Sequence, residues 1–194
     1  MPPKAQSPDA ADARWMALAL EEGRKGLGLT RPNPAVGAVV VRNGRLISTG
    51  WHQAAGTPHA EIHALRAAGE RARGATLYIT LEPCSTHGRT PPCTDAIRAA
   101  GIARVVVGAV DPNPAHAGAG LRLLRRAGVE CVSGVRQDEA EALIRGFARW
   151  ITTGLPHVTL KMAVTLDGRI ADASGRSKWI TGPAARERVQ QLRR

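Results

Sequence analysis

The sequence predicts an α/β domain built as a three-layer α-β-α sandwich on a mixed sheet. Three observations predict it. Apolar residues at helical spacing alternate along the chain with short β-branched segments. Asn43-Gly44 stands between two such segments, the signal of a two-residue hairpin and so of an antiparallel pair. Further on, Arg104 to Val110 is a short, continuously apolar run, as expected of a strand covered on both faces.

In order, residues 1–8 read as a polar, loose leader. From Asp9 to Gly26 the pattern is that of an amphipathic helix with Trp15, Leu18 and Ala19 toward a core. A hairpin follows, with strands from Val36 to Val41 and through Ile47. Just before it, Asn33 lies between Pro32 and Pro34, which hold its amide rigidly at the strand entrance; Asn-Pro is also a plain turn initiator. A helix is expected from His59 to Arg71, a strand from Ala75 to Leu81, and a stiff loop from Pro83 to Pro92 with one exposed guanidinium, Arg89. Then come a helix from Cys93 to Ala100 and the apolar strand. Asp111-Pro112-Asn113-Pro114 stands directly after that strand. Loops at the carboxyl ends of strands bind ligands in open α/β sheets, so Asp111 and Asn113 are candidates for reading a polar substrate, beside the simpler reading of a turn. A helix from about Ala119 to Ala127, a strand from Val129 to Val132 and a helix from Asp138 to Ile151 complete the alternation. The domain so defined spans 9–153, and 154–194 reads as a separate piece.

Composition narrows the function. Among 194 residues 43% are hydrophobic but only 3% aromatic, so the core is aliphatic. The net charge of +11 suggests nucleic acid until its placement is considered. From Arg176 onward Arg176, Lys178, Arg186, Arg188, Arg193 and Arg194 stand against Glu187 alone, and the chain has one Tyr and one Phe on which bases could stack. Nucleic acid is therefore not an expected partner. No run approaches the about 18 apolar residues of a membrane span, and no signal peptide is evident, so a cytoplasmic location is expected. Three cysteines fit that compartment, with Cys131 expected as a buried strand thiol.

The chemistry is concentrated between His59 and Cys93. One imidazole, His59, and two thiols, Cys84 and Cys93, make three ligands for a tetrahedral Zn2+ and leave a fourth position for water, whereas structural zinc sites are usually closed by four protein ligands. Glu61, two residues after His59, is a carboxylate left over to move protons. A lone H-x-E means little; joined to Pro83-Cys84 and a second cysteine it matches the signature of the zinc nucleobase deaminases. Eight residues separate the two cysteines, where the nucleic-acid enzymes have two.

TLEPCSTHGRTPPCTDAI, PNPAVGAVVV, PHAEIHAL and DPNPAHAGAGLRLLRRAGVE closely resemble the deaminase domain of the bifunctional riboflavin-biosynthesis deaminase-reductases, and the resemblance runs from about residue 12 onward. It implies a cytidine-deaminase-like fold. It also implies hydrolytic removal of the 2-amino group of 2,5-diamino-6-ribosylamino-4(3H)-pyrimidinone 5′-phosphate, with Glu61 carrying protons from water to the ring nitrogen and the leaving amine. Further implied are contacts of Asn33, His52, Asp111 and Asn113 with base or ribose, and of Arg89 with the phosphate. One position departs: Thr86 stands where the family commonly has His, and His87 follows. Two other readings share the motif, a zinc deaminase of another nucleoside or RNA base and a folded but inactive remnant.

The stretch HVTLKMAVTLDGRIADASGRSKWITGPAARERVQQLRR resembles the opening of the same family's reductase domain, a dihydrofolate-reductase-like fold that uses NADPH. By that resemblance Lys161, Ala163, Asp167, Ser177, Trp179 and Arg193 fall on cofactor or substrate positions. The domain is expected to be truncated here, without reductase activity. Val158 to Val164 is expected as an apolar strand lacking partners, an edge prone to association that leaves a homo-oligomer open. The expected partner is a small phosphorylated pyrimidine.

Overall fold

The computed structural model describes residues 9–87 and 91–193. The chain divides into two units, the first ending at Pro156 and the second beginning at His157. In the first, α1 (Ala10–Arg24) precedes a hairpin of β1 (Gly37–Arg42) and β2 (Arg45–Trp51). Next come α2 (Ala60–Ala68), a 3-10 turn at Gly69–Ala72, β3 (Thr76–Leu81), α3 (Cys93–Ala99) and β4 (Arg104–Ala109). The unit closes with α4 (Ala119–Arg126), β5 (Glu130–Ser133), α5 (Gln137–Leu143) and α6 (Arg145–Thr153). No helix among the described residues is long and apolar enough to cross a membrane.

The five strands lie in the order β2-β1-β3-β4-β5. β1 pairs antiparallel with β2 and β3, while β3–β4 and β4–β5 are parallel, so the sheet is mixed as the sequence predicts. The hairpin turn has Asn43 at φ 52° and Gly44 at φ 69°, the left-handed pair that the strand twist requires and that Asn-Gly adopts at least cost.

Because strand side chains alternate between faces, β1, β3 and β4 each feed two cores. Ala38, Val40, Leu77, Ile79, Val105 and Val107 join α2, α3 and α4 residues such as Ala64, Ile97 and Leu124 on one side. Val39, Val41, Tyr78 and Val106 meet Met16, Ala19 and Leu20 of α1 and Ala140 of α5 on the other. Small alanines on α1 and α2 keep those helices close to the sheet. One polar group crosses the second core. Asp12, buried on α1, accepts two hydrogen bonds from the Arg104 guanidinium at 2.7 and 2.8 Å and one from the Tyr78 hydroxyl at 3.0 Å. These bonds with Arg104 hold the Asp12 carboxyl below its ordinary range, against burial.

Three expectations are corrected. The helix expected from Asp138 to Ile151 is two helices, parted at Ile144, whose backbone (φ −104°, ψ 10°) leaves the helix and whose side chain is buried in the first core. Burying that isoleucine turns the chain, and α6 then runs on with no buried residue. Cys131 is half-buried on β5, an edge strand with no neighbour on its far side among the described residues to complete its cover. Val158 to Val164 forms no strand, since no strand among the described residues of the second unit offers ladder partners. That unit contains α7 (Pro183–Arg193), and its apolar residues Val158, Leu160 and Leu166 are exposed.

Candidate metal centre and cavity

Three element ends bring the chemistry together. His59 is the residue before α2, with extended backbone and no capping hydrogen bond from its ring to that helix. Cys84 follows β3, and Cys93 opens α3 after Pro92, whose fixed φ suits a helix entrance. Their donor atoms lie within 4.8 Å of one another. His59 Nδ1 is 3.2 Å from Cys93 Sγ and 3.6 Å from Cys84 Sγ. A tetrahedral zinc with ordinary Zn–N and Zn–S bonds sets its N and S ligands about 3.6 Å apart, so one nitrogen and two sulfurs at these separations fit the ion. The Cys93 amide donates to Cys84 Sγ at 3.3 Å, a main-chain bond that favours sulfur as thiolate. Hydrogen bonding from Cys93 lowers Cys84, and the same shared proton with burial pushes the Cys93 thiol up. His59 is raised, chiefly by its bond with Cys84.

Glu61 lies one residue inside α2 and is buried, 3% exposed. Burial pushes its carboxyl up to about 7, with His59 pulling the other way. A carboxyl poised near neutrality is suited to both taking and giving a proton. His52, at the exit of β2, is buried between two partners: Nδ1 lies 3.1 Å from the Pro58 carbonyl and Nε2 3.1 Å from Asn33 Nδ2. The carbonyl can only accept, so Nδ1 carries the proton and Nε2 accepts from the Asn33 amide. Burial lowers His52 and keeps the ring neutral. Asn33 is thereby oriented with its carbonyl oxygen as the group it can offer a ligand. Asp111 accepts from the Asn113 amide at 2.8 Å, and Asn113 Oδ1 accepts from the Ala115 amide at 3.1 Å. Both are local turns, so the turn reading of these residues is realised, and both side chains also line the cavity. Burial raises Asp111.

A cavity of about 280 Å³ opens over the cluster, lined by Asn33, His52, His59, Glu61, Cys84, Asp111 and Asn113. Cys93 lies behind it, fully buried. This histidine and two thiols with a buried carboxylate beside them are what the zinc-binding deaminases use, and residues 9–109 match the family model for the cytidine and deoxycytidylate deaminase zinc-binding region. The chain belongs to this family. Residues 156–194 match a second model, the RibD C-terminal domain. The riboflavin biosynthesis protein RibD of Escherichia coli (strain K12) is 55% identical over 182 residues, 94% of this chain and 50% of that protein. RibD of Acinetobacter baumannii, form 1, has 52% identity and a TM-score of 0.87, covering 94% of this chain and 51% of that one. The diaminohydroxyphosphoribosylaminopyrimidine deaminase/5-amino-6-(5-phosphoribosylamino)uracil reductase of Thermotoga maritima has 47% identity and a TM-score of 0.89 over 94% and 53% of the two chains. This deaminase-family chain thus spans about half the length of the curated relatives it matches.

Arg89 lies outside the described residues. Thr86 and His87 are exposed. Lys161, Ala163, Asp167, Ser177, Trp179 and Arg193 lie in the second unit; all but Ala163 are exposed, and Arg186 stacks on the Trp179 ring at 4.3 Å. Sequence reading missed four cavity residues in particular: Glu82, His116, Phe147 and Ile151. Phe147 and Ile151 are four apart on α6, a spacing that puts both on one helix face and was the available signal. Glu82 was in view inside the Glu-Pro-Cys motif, but nothing local marks its partners.

Proposed function

We propose that this chain is a zinc-dependent aminohydrolase that converts 2,5-diamino-6-ribosylamino-4(3H)-pyrimidinone 5′-phosphate and water to 5-amino-6-(5-phosphoribosylamino)uracil and ammonia, a step of riboflavin biosynthesis. The observation that carries the reading is the buried Glu61 beside the His59–Cys84–Cys93 cluster, under a cavity walled by amide, carboxylate and imidazole groups. The substrate is taken from the activity by which the Thermotoga relative is named, to which this chain is similar along 94% of its length.

In this reading His59, Cys84 and Cys93 hold the zinc. When bound, zinc supplies the Lewis acidity that makes water a nucleophile at neutral pH. Glu61 takes a proton from the attacking water, passes it to the ring nitrogen next to the amino-bearing carbon, and then delivers the second water proton to the amine, which leaves as ammonia. Its burial suits both halves of that cycle. Asn33, held by His52, offers its carbonyl oxygen to a ring or exocyclic N–H. Asp111 and Asn113 take the ribose or ring edge, and Arg89 pairs with the phosphate. Residues 9–153 form the deaminase domain, and those from 154 on are the opening of a reductase domain that uses NADPH when complete.

The test is zinc content together with ammonia release from the phosphorylated diaminopyrimidinone, for wild type and Glu61→Gln. Equal zinc in both, with ammonia release lowered about 10²–10⁴-fold in the variant, is expected. Zinc without ammonia from wild type would remove the proposed substrate.

A further inference from the structure

Glu82 is buried, 6% exposed, at the point where β3 ends. Its backbone amide still donates to the Ala109 carbonyl at 2.9 Å, so its place is set by the β3–β4 pairing. Its side chain reaches across to the next connection. Oε2 accepts from the amides of Asp111 at 3.1 Å and Gly118 at 2.8 Å; Oε1 accepts from those of Gly120 at 2.9 Å and Leu121 at 3.2 Å. A carboxylate has about four acceptor positions, and four main-chain donors fill them, so none is left for a ligand. Two of these donors belong to the first turn of α4, whose opening amides have no helical partner and whose dipole favours a negative charge. The other two are the ends of the loop that carries Asp111 and Asn113. Packing holds the same junction: a Cβ on Gly120 would lie 2.1 Å from the Pro83 carbonyl oxygen, so only glycine lets α4 approach the peptide leading into Cys84.

We propose that Glu82 is a positioning residue: it clamps the loop 111–118 at both ends and thereby sets Asp111 and Asn113 at a fixed place over the cavity, tied to the strand exit that carries Cys84. Glu82 governs ligand affinity through this loop without contacting the ligand. The identity of that ligand rests on the function proposed above; the clamp itself does not.

The decisive variant is Glu82→Gln, which keeps the shape but sets an NH2 group against two N–H donors. Zinc content, amide hydrogen exchange and ammonia-release kinetics are measured on the zinc-loaded protein. With zinc per chain unchanged, exchange at Asp111, Gly118, Gly120 and Leu121 is expected to rise about tenfold while Val106 stays protected, and KM to rise about tenfold with kcat within about threefold. Glu82→Asp, which keeps the charge but reaches fewer donors, falls between. Unchanged exchange and KM in Glu82→Gln overturn the proposal. So does loss of zinc or of Val106 protection in both variants, which would make Glu82 a general folding residue. If wild type releases no ammonia, the proposed substrate fails, and the exchange pattern still decides for or against the clamp.

Discussion

Replacing Asp12 by Asn tests the packing of α1 against the sheet. Asp12 holds three hydrogen bonds, two of them charge-assisted from Arg104 and one from Tyr78. Breaking a buried ion pair from one side costs about 3–5 kcal/mol. Here Arg104 is 23% exposed and keeps Glu130 at 3.0 Å, so the guanidinium is not stranded, and the cost falls to about 2–3 kcal/mol. For a unit of this size that is a melting temperature lower by about 5–10 °C. The pH dependence has a definite sign. The folded carboxyl lies below its unfolded value of about 3.9, so its stabilisation is complete above that pH and is lost as pH falls through the folded value. The gap between wild type and Asp12→Asn, read by urea unfolding, should be largest at neutral pH and shrink from about pH 4 downward. Glu130→Gln is the control: that side chain is 55% exposed, and its loss should cost under about 0.5 kcal/mol. A gap below about 0.5 kcal/mol at pH 7, or one equally large at pH 3, would refute the assignment of this stability to the Asp12 carboxylate.

Chelation should lower the melting temperature of the zinc-loaded protein by about 10 °C, since ligand at a thousandfold excess over Kd contributes about 4 kcal/mol; added zinc should restore it, and Cys93→Ser should abolish the difference. Asn33→Ala removes the donor to His52 Nε2 and is expected to raise KM about tenfold while costing about 1 kcal/mol of stability, read by ammonia release and thermal melting. The 194-residue chain is expected to show no NADPH oxidation with the deaminated product, because the second unit has no strand among its described residues; turnover above background in a 340 nm assay (about 340 nm being the reduced-nicotinamide band) would refute this.

Local patterns carried much of this protein. Asn43-Gly44 determined the hairpin, because two left-handed residues are a local requirement that few residue pairs meet. The apolar run at β4 determined a strand covered on both faces. That His59, Cys84 and Cys93 could gather as candidate zinc ligands was legible because few residue types bind zinc, and the structure brings their donor atoms within 4.8 Å of one another. What bound distant parts of the chain was decided only by the tertiary structure. Asp12 and Arg104 are 92 positions apart, and Glu82 meets its amides 29 to 39 positions on. No periodicity links such pairs, and main-chain donors leave no trace in residue identity. The break at Ile144 belongs to the same class: helical spacing continues through it, but its side chain is buried in the core on the sheet's first face and its backbone leaves the helix there. His52 was readable only through the family resemblance, while its proton, its neutral charge and its hold on Asn33 came from the Pro58 carbonyl and from burial, which exist only once the chain has closed around them.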